Sequence, residues 1–216
     1  MKPFSECRLY AFVDAAYLRG RSPADVARQL CDGGADVIQL RAKSTSPAEV
    51  RRMAETLRPI LDSVGVGLVI NDHLAVALDT GAPACHLGQE DFFGTGHTHV
   101  SQVLPSGSRL QIGLSTHTPP QAEQALAASP AYVAIGPVYP TSTKPAAPAV
   151  TLDYVRWAAA HVRIPWFAIG GITLENLDDV LAAGASRVGI VSAILNAPDL
   201  VGACQAFKNR LASVPR

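Results

Sequence analysis

An excess of charge of either sign is missing from this chain. Its 18 basic and 18 acidic residues cancel to a formal net charge of +0, and no long run of one sign occurs. Non-specific nucleic-acid binding needs a basic excess and is poorly supported. Any anion must instead be recognised by a few converging groups in a cleft. Cysteine is sparse too. Cys7, Cys31, Cys85 and Cys204 stand far apart with no C-x-x-C pair. That speaks against a zinc site or redox dithiol and for buried reduced thiols. No apolar stretch approaches the ~20 residues of a membrane span. The opening segment MKPFSECRLYAFVDAAY carries Glu6, Arg8 and Asp14 where a signal peptide needs an unbroken apolar region. A cytoplasmic protein is expected, with no membrane and no nucleic acid among its partners. No linker, low-complexity tract or composition break interrupts the chain, so residues 1–216 are expected to form one domain.

What is present is a core-building sequence, 48% hydrophobic and only 17% charged. Short apolar runs recur between amphipathic stretches. They read as strands at Leu9–Val13, Ala35–Leu40, Gly67–Ile70, Ala84–Leu87, Leu110–Leu114, Tyr132–Ile135, Trp166–Ile169 and Arg187–Val191. Most lack strict polar alternation, as parallel strands covered on both faces do. Ser22-Pro23-Ala24-Asp25, Ser46-Pro47-Ala48-Glu49 and Thr118-Pro119-Pro120-Gln121 each read as an N-cap, a proline at the first helical position and an acid or amide at the third. Gly33-Gly34, Gly81 and Gly184 stand where helix C-termini should end. Eight such runs in a chain of 216 residues match a short (β/α)8 TIM barrel in the α/β class. The alternative is an open doubly wound sheet. It normally carries G-x-G-x-x-G after its first strand, whereas here that strand ends in Val13-Asp14-Ala15.

In such a barrel, chemistry sits just after the strands. Gln39, Arg41 and Lys43 alternate after the second run, so they share one face and suit an anion; a solvated basic loop is the plainer alternative. Asn71-Asp72-His73 follows the third run, where an Asx turn or helix cap is an equal reading. Asp91 follows the fourth run, on the neighbouring strand about 4.8 Å away. Two carboxylates at one mouth suit Mg2+, completed by waters and substrate oxygens. Ser115 is spare, because Thr118 already serves as a cap. The loop after the sixth run is stiffened by prolines and offers Thr141, Thr143 and Lys144 as donors to phosphate. Gly170-Gly171 and Val191-Ser192 follow the last two runs, where these barrels cradle phosphate on backbone N–H groups. His97, His99 and His161 lack metal-ligand spacing, and His161 suits a helix end. The set divides into a cationic, metal-assisted anion site and a neutral backbone cradle. No Ser/His/Asp triad is evident, so group transfer with a diphosphate leaving group is preferred over hydrolysis.

The segments QLRAK, INDH, CHLGQED, GLSTHT, GPVYPTSTK, AIGGI and IVSAI, in order over residues 39–194, resemble the signature segments of the thiamine phosphate synthase family. The resemblance implies a (β/α)8 barrel. It also implies transfer of a pyrimidinylmethyl group from 4-amino-2-methyl-5-hydroxymethylpyrimidine diphosphate to a thiazole phosphate, with release of pyrophosphate. Diphosphate departure before capture by the thiazole nitrogen is part of what it implies. Carried over residue by residue, Gln39, Arg41, Lys43, Asn71, Ser115 and Lys144 bind the pyrimidine diphosphate. Arg41, Lys43, Ser115 and Lys144 are the expected catalytic set. Asp72 and Asp91 hold Mg2+, and Thr141, Thr143, Gly171, Val191 and Ser192 bind the thiazole phosphate. Ala42 stands where glutamate is common, His73 where arginine or aspartate often follows, and the loop from Phe92 to Val100 is less typical. Two alternatives are a thiazole tautomerase of the same fold using His117 and a non-catalytic thiamine-precursor binder or regulator. The expected partners are small-molecule substrates, and a homo-oligomer is compatible with the sequence without being specified by it.

Overall fold

The computed structural model describes residues 1–141 and 149–213. Thr143 and Lys144 lie outside the described residues. Eight parallel strands run in chain order: β1 (Leu9–Asp14), β2 (Val37–Arg41), β3 (Gly67–Asn71), β4 (Ala84–Leu87), β5 (Gln111–Thr116), β6 (Tyr132–Ile135), β7 (Trp166–Ile169) and β8 (Val188–Gly189). Each pairs with its sequence neighbours. The pairing of Leu9 with Val188 and of Tyr10 with Gly189 closes the ring. This is the (β/α)8 barrel that the apolar runs imply.

The α-helices among the described residues are α1 (Pro23–Asp32), α2 (Pro47–Ser63), α3 (Leu74–Thr80), α4 (Gln89–Phe93), α5 (Pro119–Ala127), α6 (Thr151–His161), α7 (Leu177–Ala182), α8 (Ser192–Leu195) and α9 (Leu200–Ala212). None is long and apolar enough to cross a membrane. The proline-led starts fall where the pattern puts them. Ser46 and Thr118 accept hydrogen bonds from Glu49 N and Gln121 N, each at 3.3 Å. Ser22 does not; it occupies the cap position of α1 without a side-chain bond. There the proline at the first helical position starts the helix unaided. Gly81 ends α3 at φ +62, a left-handed conformation that glycine adopts without steric penalty. The last strand is shorter than its apolar run suggests. Ile190 still donates to Tyr10 O at 2.9 Å, but Val191 turns the chain at ψ −86 into α8.

The barrel interior is aromatic. Tyr132 is fully buried, with its ring centroid 4.3 Å from that of Phe4 and 5.6 Å from that of Phe167. Gly113 makes this packing possible, because a Cβ there would lie 2.1 Å from Tyr132 Cζ. The cysteines are free thiols. Burial pushes Cys7 and Cys31 up to about 11, and Cys85 and Cys204 up to about 12, so all four stay protonated at neutral pH.

At the opposite end of the barrel from the strand C-termini, Asp36 knots three segments together. Its carboxylate is 3% exposed and accepts from Arg8 N at 2.8 Å and Leu9 N at 3.1 Å, with Lys208 and Lys2 beside it. Burial alone would raise this carboxyl. Lys208 and the two backbone donors outweigh it and hold the group below its usual value. The folded value is thus below the unfolded one. The stabilisation is complete at neutral pH and is lost as the pH falls below about 4, through the depressed folded value. Asp36→Asn should cost roughly 1–3 kcal/mol at pH 7 and flatten the acid limb of the stability curve. Urea melts at pH 7 and pH 3 check this. An equal loss at both pH values would refute the linkage.

Candidate active site

The strand C-termini surround a cavity of about 670 Å3. Its deeper wall is built by Tyr10, Phe12 and Phe167, residues early on β1 and β7 that point into the barrel. Its rim is polar, and the rim groups sit near the C-terminal ends of strands or in the segments that follow them.

Gln39, Arg41 and Lys43 all line the cavity, as alternation along β2 requires. Arg41 is fixed from behind by Asp14, the last residue of β1 and its register partner. Arg41 Nη1 lies 2.7 Å from Asp14 Oδ2, and Asp14 is only 1% exposed. Asp14 is a site residue beyond those expected from the sequence. A signal was present: it is a lone acid closing a strand of otherwise apolar residues.

Asn71 ends β3 and Asp72 follows it. Neither caps α3, whose cap residue is His73 without a side-chain cap bond, so the helix-cap alternative is not what forms. Asn71 Nδ2 donates to Asp72 Oδ2 at 2.6 Å, and Lys43 Nζ lies 3.7 Å from the same oxygen. Asp72 adopts φ +63, a conformation uncommon for a non-glycine residue although aspartate tolerates it better than most. Asp91 lines the cavity from α4, close above Gly88. A Cβ on Gly88 would meet Asp91 Oδ2 at 2.5 Å, so glycine there leaves room for the carboxylate. Gln89 Oε1, two residues before Asp91, is buried without a partner.

Ser115, the last but one residue of β5, is 7% exposed, with its Oγ 2.9 Å from His86 Nε2. Thr118 does cap α5, which leaves Ser115 to this contact. His86 is a further site residue beyond those expected from the sequence. It appears in CHLGQED and sits on β4 facing inward, where alternation with the outward Cys85 gave a usable signal. His117 lines the same cavity with Nδ1 hydrogen-bonded to Gly136 O. Thr141 lines the cavity beyond β6.

The loop after β6 is strapped to the loop after β7. Val138 N donates to Ile169 O at 2.9 Å, and Tyr139 N to Gly170 O at 3.0 Å. Gly171 sits against this strap at φ +66, where a Cβ would meet Pro140 O at 2.7 Å. Asn176 holds it from the other side, donating to Gly171 O at 3.0 Å while accepting from Thr173 N at 2.8 Å. Val191 and Ser192 complete this edge of the cavity, and Ser192 opens α8, whose first N–H groups have no intrahelical acceptor. His97 and His99 lie apart, in local turns with Thr95 and Ser101. His161 ends α6 against Trp157 O at 2.8 Å.

A closed parallel barrel with a large cavity at the strand C-termini, rimmed by polar side chains, is the arrangement of an α/β-barrel enzyme. The family model described as thiamine monophosphate synthase matches residues 9–194. A thiamine-phosphate synthase from Acidothermus cellulolyticus is 42% identical over 213 residues, covering 97% of each chain. One from Thermus thermophilus is 42% identical over 187 residues, covering 84% of this chain and 85% of its own. Among solved structures, the thiamine phosphate pyrophosphorylase from Pyrococcus furiosus superposes with a TM-score of 0.86 at 25% identity, covering all of both chains. The tryptophan synthase alpha chain from Legionella pneumophila, at 14% identity and a TM-score of 0.70, shares the fold alone. The chain belongs to the thiamine monophosphate synthase family and is an enzyme of the transferase class.

Proposed function

We propose that this chain makes thiamine phosphate by moving a pyrimidinylmethyl group from 4-amino-2-methyl-5-hydroxymethylpyrimidine diphosphate to the ring nitrogen of a thiazole phosphate. The observation that carries the reading is the division of one cavity into two unlike edges. Arg41, Lys43, Asp72 and Asp91 supply charge on one, and Gly171, Val191 and Ser192 supply backbone on the other. Two anionic groups of different charge fit two such edges.

In this reading Arg41 and Lys43 grip the diphosphate, and Asp14 keeps the guanidinium aimed at it. Lys144 and Thr143 would join from the loop after β6. Asp72 and Asp91 would hold Mg2+. The donor set suits a hard cation, with two carboxylates and the unpartnered Gln89 oxygen among the residues that line the cavity. No group of three or more His, Cys, Asp or Glu side chains that could hold a metal occurs among the described residues. The ion would therefore depend on substrate oxygens for the rest of its shell. When bound, it would neutralise charge on the departing diphosphate.

The C–O bond to the diphosphate breaks first, and its electron pair leaves with the diphosphate. The methylene carbon becomes cationic, with its charge spread over the aminopyrimidine ring. The thiazole nitrogen then donates its lone pair to form the C–N bond. Phe12 and Phe167 give that ring apolar walls that keep water away from the cation. Gly171, Val191 and Ser192 fix the thiazole phosphate so that its nitrogen waits in line.

The test is a coupling assay read by thiochrome fluorescence. Product should appear only with Mg2+ and both substrates, with one pyrophosphate released per thiamine phosphate. Isomerisation of the thiazole phosphate without coupling would move the assignment to a tautomerase acting through His117. Binding of both precursors without turnover would make it a precursor-binding protein.

A further inference from the structure

The polar groups deep in the cavity form a single chain of hydrogen bonds. Gln39 Nε2 donates to the Tyr10 hydroxyl at 2.8 Å. The Tyr10 and Tyr132 hydroxyls are 2.9 Å apart, and Tyr132 Oη lies 3.0 Å from His86 Nδ1. His86 Nε2 reaches Ser115 Oγ at 2.9 Å. All five residues are buried, and the chain links strands β1, β2, β4, β5 and β6.

Proton counting gives the chain a direction. A hydroxyl has one proton to donate, and a neutral imidazole has one N–H and one bare nitrogen. The Gln39 amide N–H already points at Tyr10 oxygen, so the Tyr10 proton goes to Tyr132. The Tyr132 proton then goes to His86 Nδ1. His86 must carry its proton on Nε2, which donates to Ser115 Oγ. The reverse direction, with Ser115 giving its proton to His86 as an activated nucleophile would, fails at the far end. The Tyr10 oxygen would then accept from both Tyr132 and Gln39, leaving its own proton with no acceptor in the chain, inside a buried site where such a loss is costly. Burial also pushes both tyrosines well above their usual range, so both keep their protons at neutral pH.

We infer that His86 is a positioning residue that occupies the acceptor side of Ser115, so that the Ser115 proton is held toward the cavity as a donor to an anionic oxygen of the substrate. Ser115 is then a donor and not a nucleophile. Tyr10, Tyr132 and Gln39 set the tautomer that makes it so. The naming of that oxygen as one of the diphosphate rests on the function proposed above; the direction of the relay does not.

Two measurements test this. In the 15N-histidine-labelled protein, long-range proton–nitrogen spectra should show His86 protonated at Nε2 and bare at Nδ1, with Tyr132→Phe loosening that preference. In kinetics, His86→Gln offers an amide N–H near the Nε2 position, whereas His86→Asn is too short to reach Ser115. His86→Asn should lower kcat/KM for the pyrimidine diphosphate roughly 10- to 100-fold. KM for the thiazole phosphate should stay unchanged, and His86→Gln should recover most of the loss. In a Ser115→Ala background, His86→Asn should cost nothing further. A proton on Nδ1 in the resting protein, equal damage from both His86 variants, or additive losses with Ser115→Ala would overturn the assignment. If the wild-type chain fails to couple its substrates, the functional reading falls by itself. The tautomer spectrum then decides the relay, as it also does if His86→Asn does not fold.

Discussion

Asp72→Asn combined with Asp91→Asn is expected to lower the coupling rate by about 10^3-fold or more while leaving the fold intact. Asparagine is the substitution of choice because Asp72 sits at φ +63, which asparagine tolerates and most other residues do not. The variant keeps the volume of both side chains and removes only their charge. Two charges are what the proposed role requires, since a divalent ion with two neutral amide ligands is held far more weakly than with two carboxylates. The size of the effect follows from what the ion is asked to do. Stabilising charge on a leaving diphosphate is worth several kcal/mol, and each factor of ten is about 1.4 kcal/mol. Each single variant should be partly rescued by excess Mg2+, and the double variant should not. EDTA should reproduce the double variant in the wild-type protein. Turnover that survives both chelation and the double substitution would remove the metal from the mechanism.

The second large effect is expected from Arg41→Met, and it has two separable parts. Arg41 pairs with Asp14 at 2.7 Å, and the two side chains are 12% and 2% exposed. Removing the cation strands a buried carboxylate, which costs about 3 kcal/mol. In a chain of this size that lowers the melting temperature by roughly 10 °C. Activity should fall further, by about 10^2- to 10^3-fold, through loss of a donor to the diphosphate. Asp14→Asn combined with Arg41→Met relieves the stranded charge, so it should restore the melting temperature and not the activity. Arg41→Lys should fall between, because an ammonium keeps the charge but cannot span carboxylate and diphosphate with a planar fork. Full activity in Arg41→Met, measured below its melting transition, would take Arg41 out of the site.

Much of this molecule can be read from local pattern. Strand positions come from apolar runs, and five of the eight match the observed strands within one residue at both ends, as at Ala84–Leu87 and Tyr132–Ile135. Helix starts at Pro23, Pro47 and Pro119 come from fixed φ and neighbouring caps. The placement of Gln39, Arg41, Lys43, Asn71, Asp72, Asp91, Ser115, Thr141, Gly171, Val191 and Ser192 around one cavity follows once each is known to trail a strand of a closed barrel. These are short-range properties, decided by a residue and its neighbours within a turn or two.

What local pattern did not reach are the partners across strands. Asp14 meets Arg41 through the β1–β2 register, 27 residues away. His86 finds Ser115 and Tyr132 on strands 29 and 46 residues further along. Tyr132 can enter the barrel only because Gly113, on the adjacent strand, has no side chain to oppose it. The early end of β8 at Gly189 is likewise set by the turn into α8 and not by the apolar run through Val191. The sequence by itself determined which residues end strands, and so which groups surround the mouth. Only the closed barrel decided which of them touch, because contact depends on register and shear around the ring, and these are properties of eight strands together.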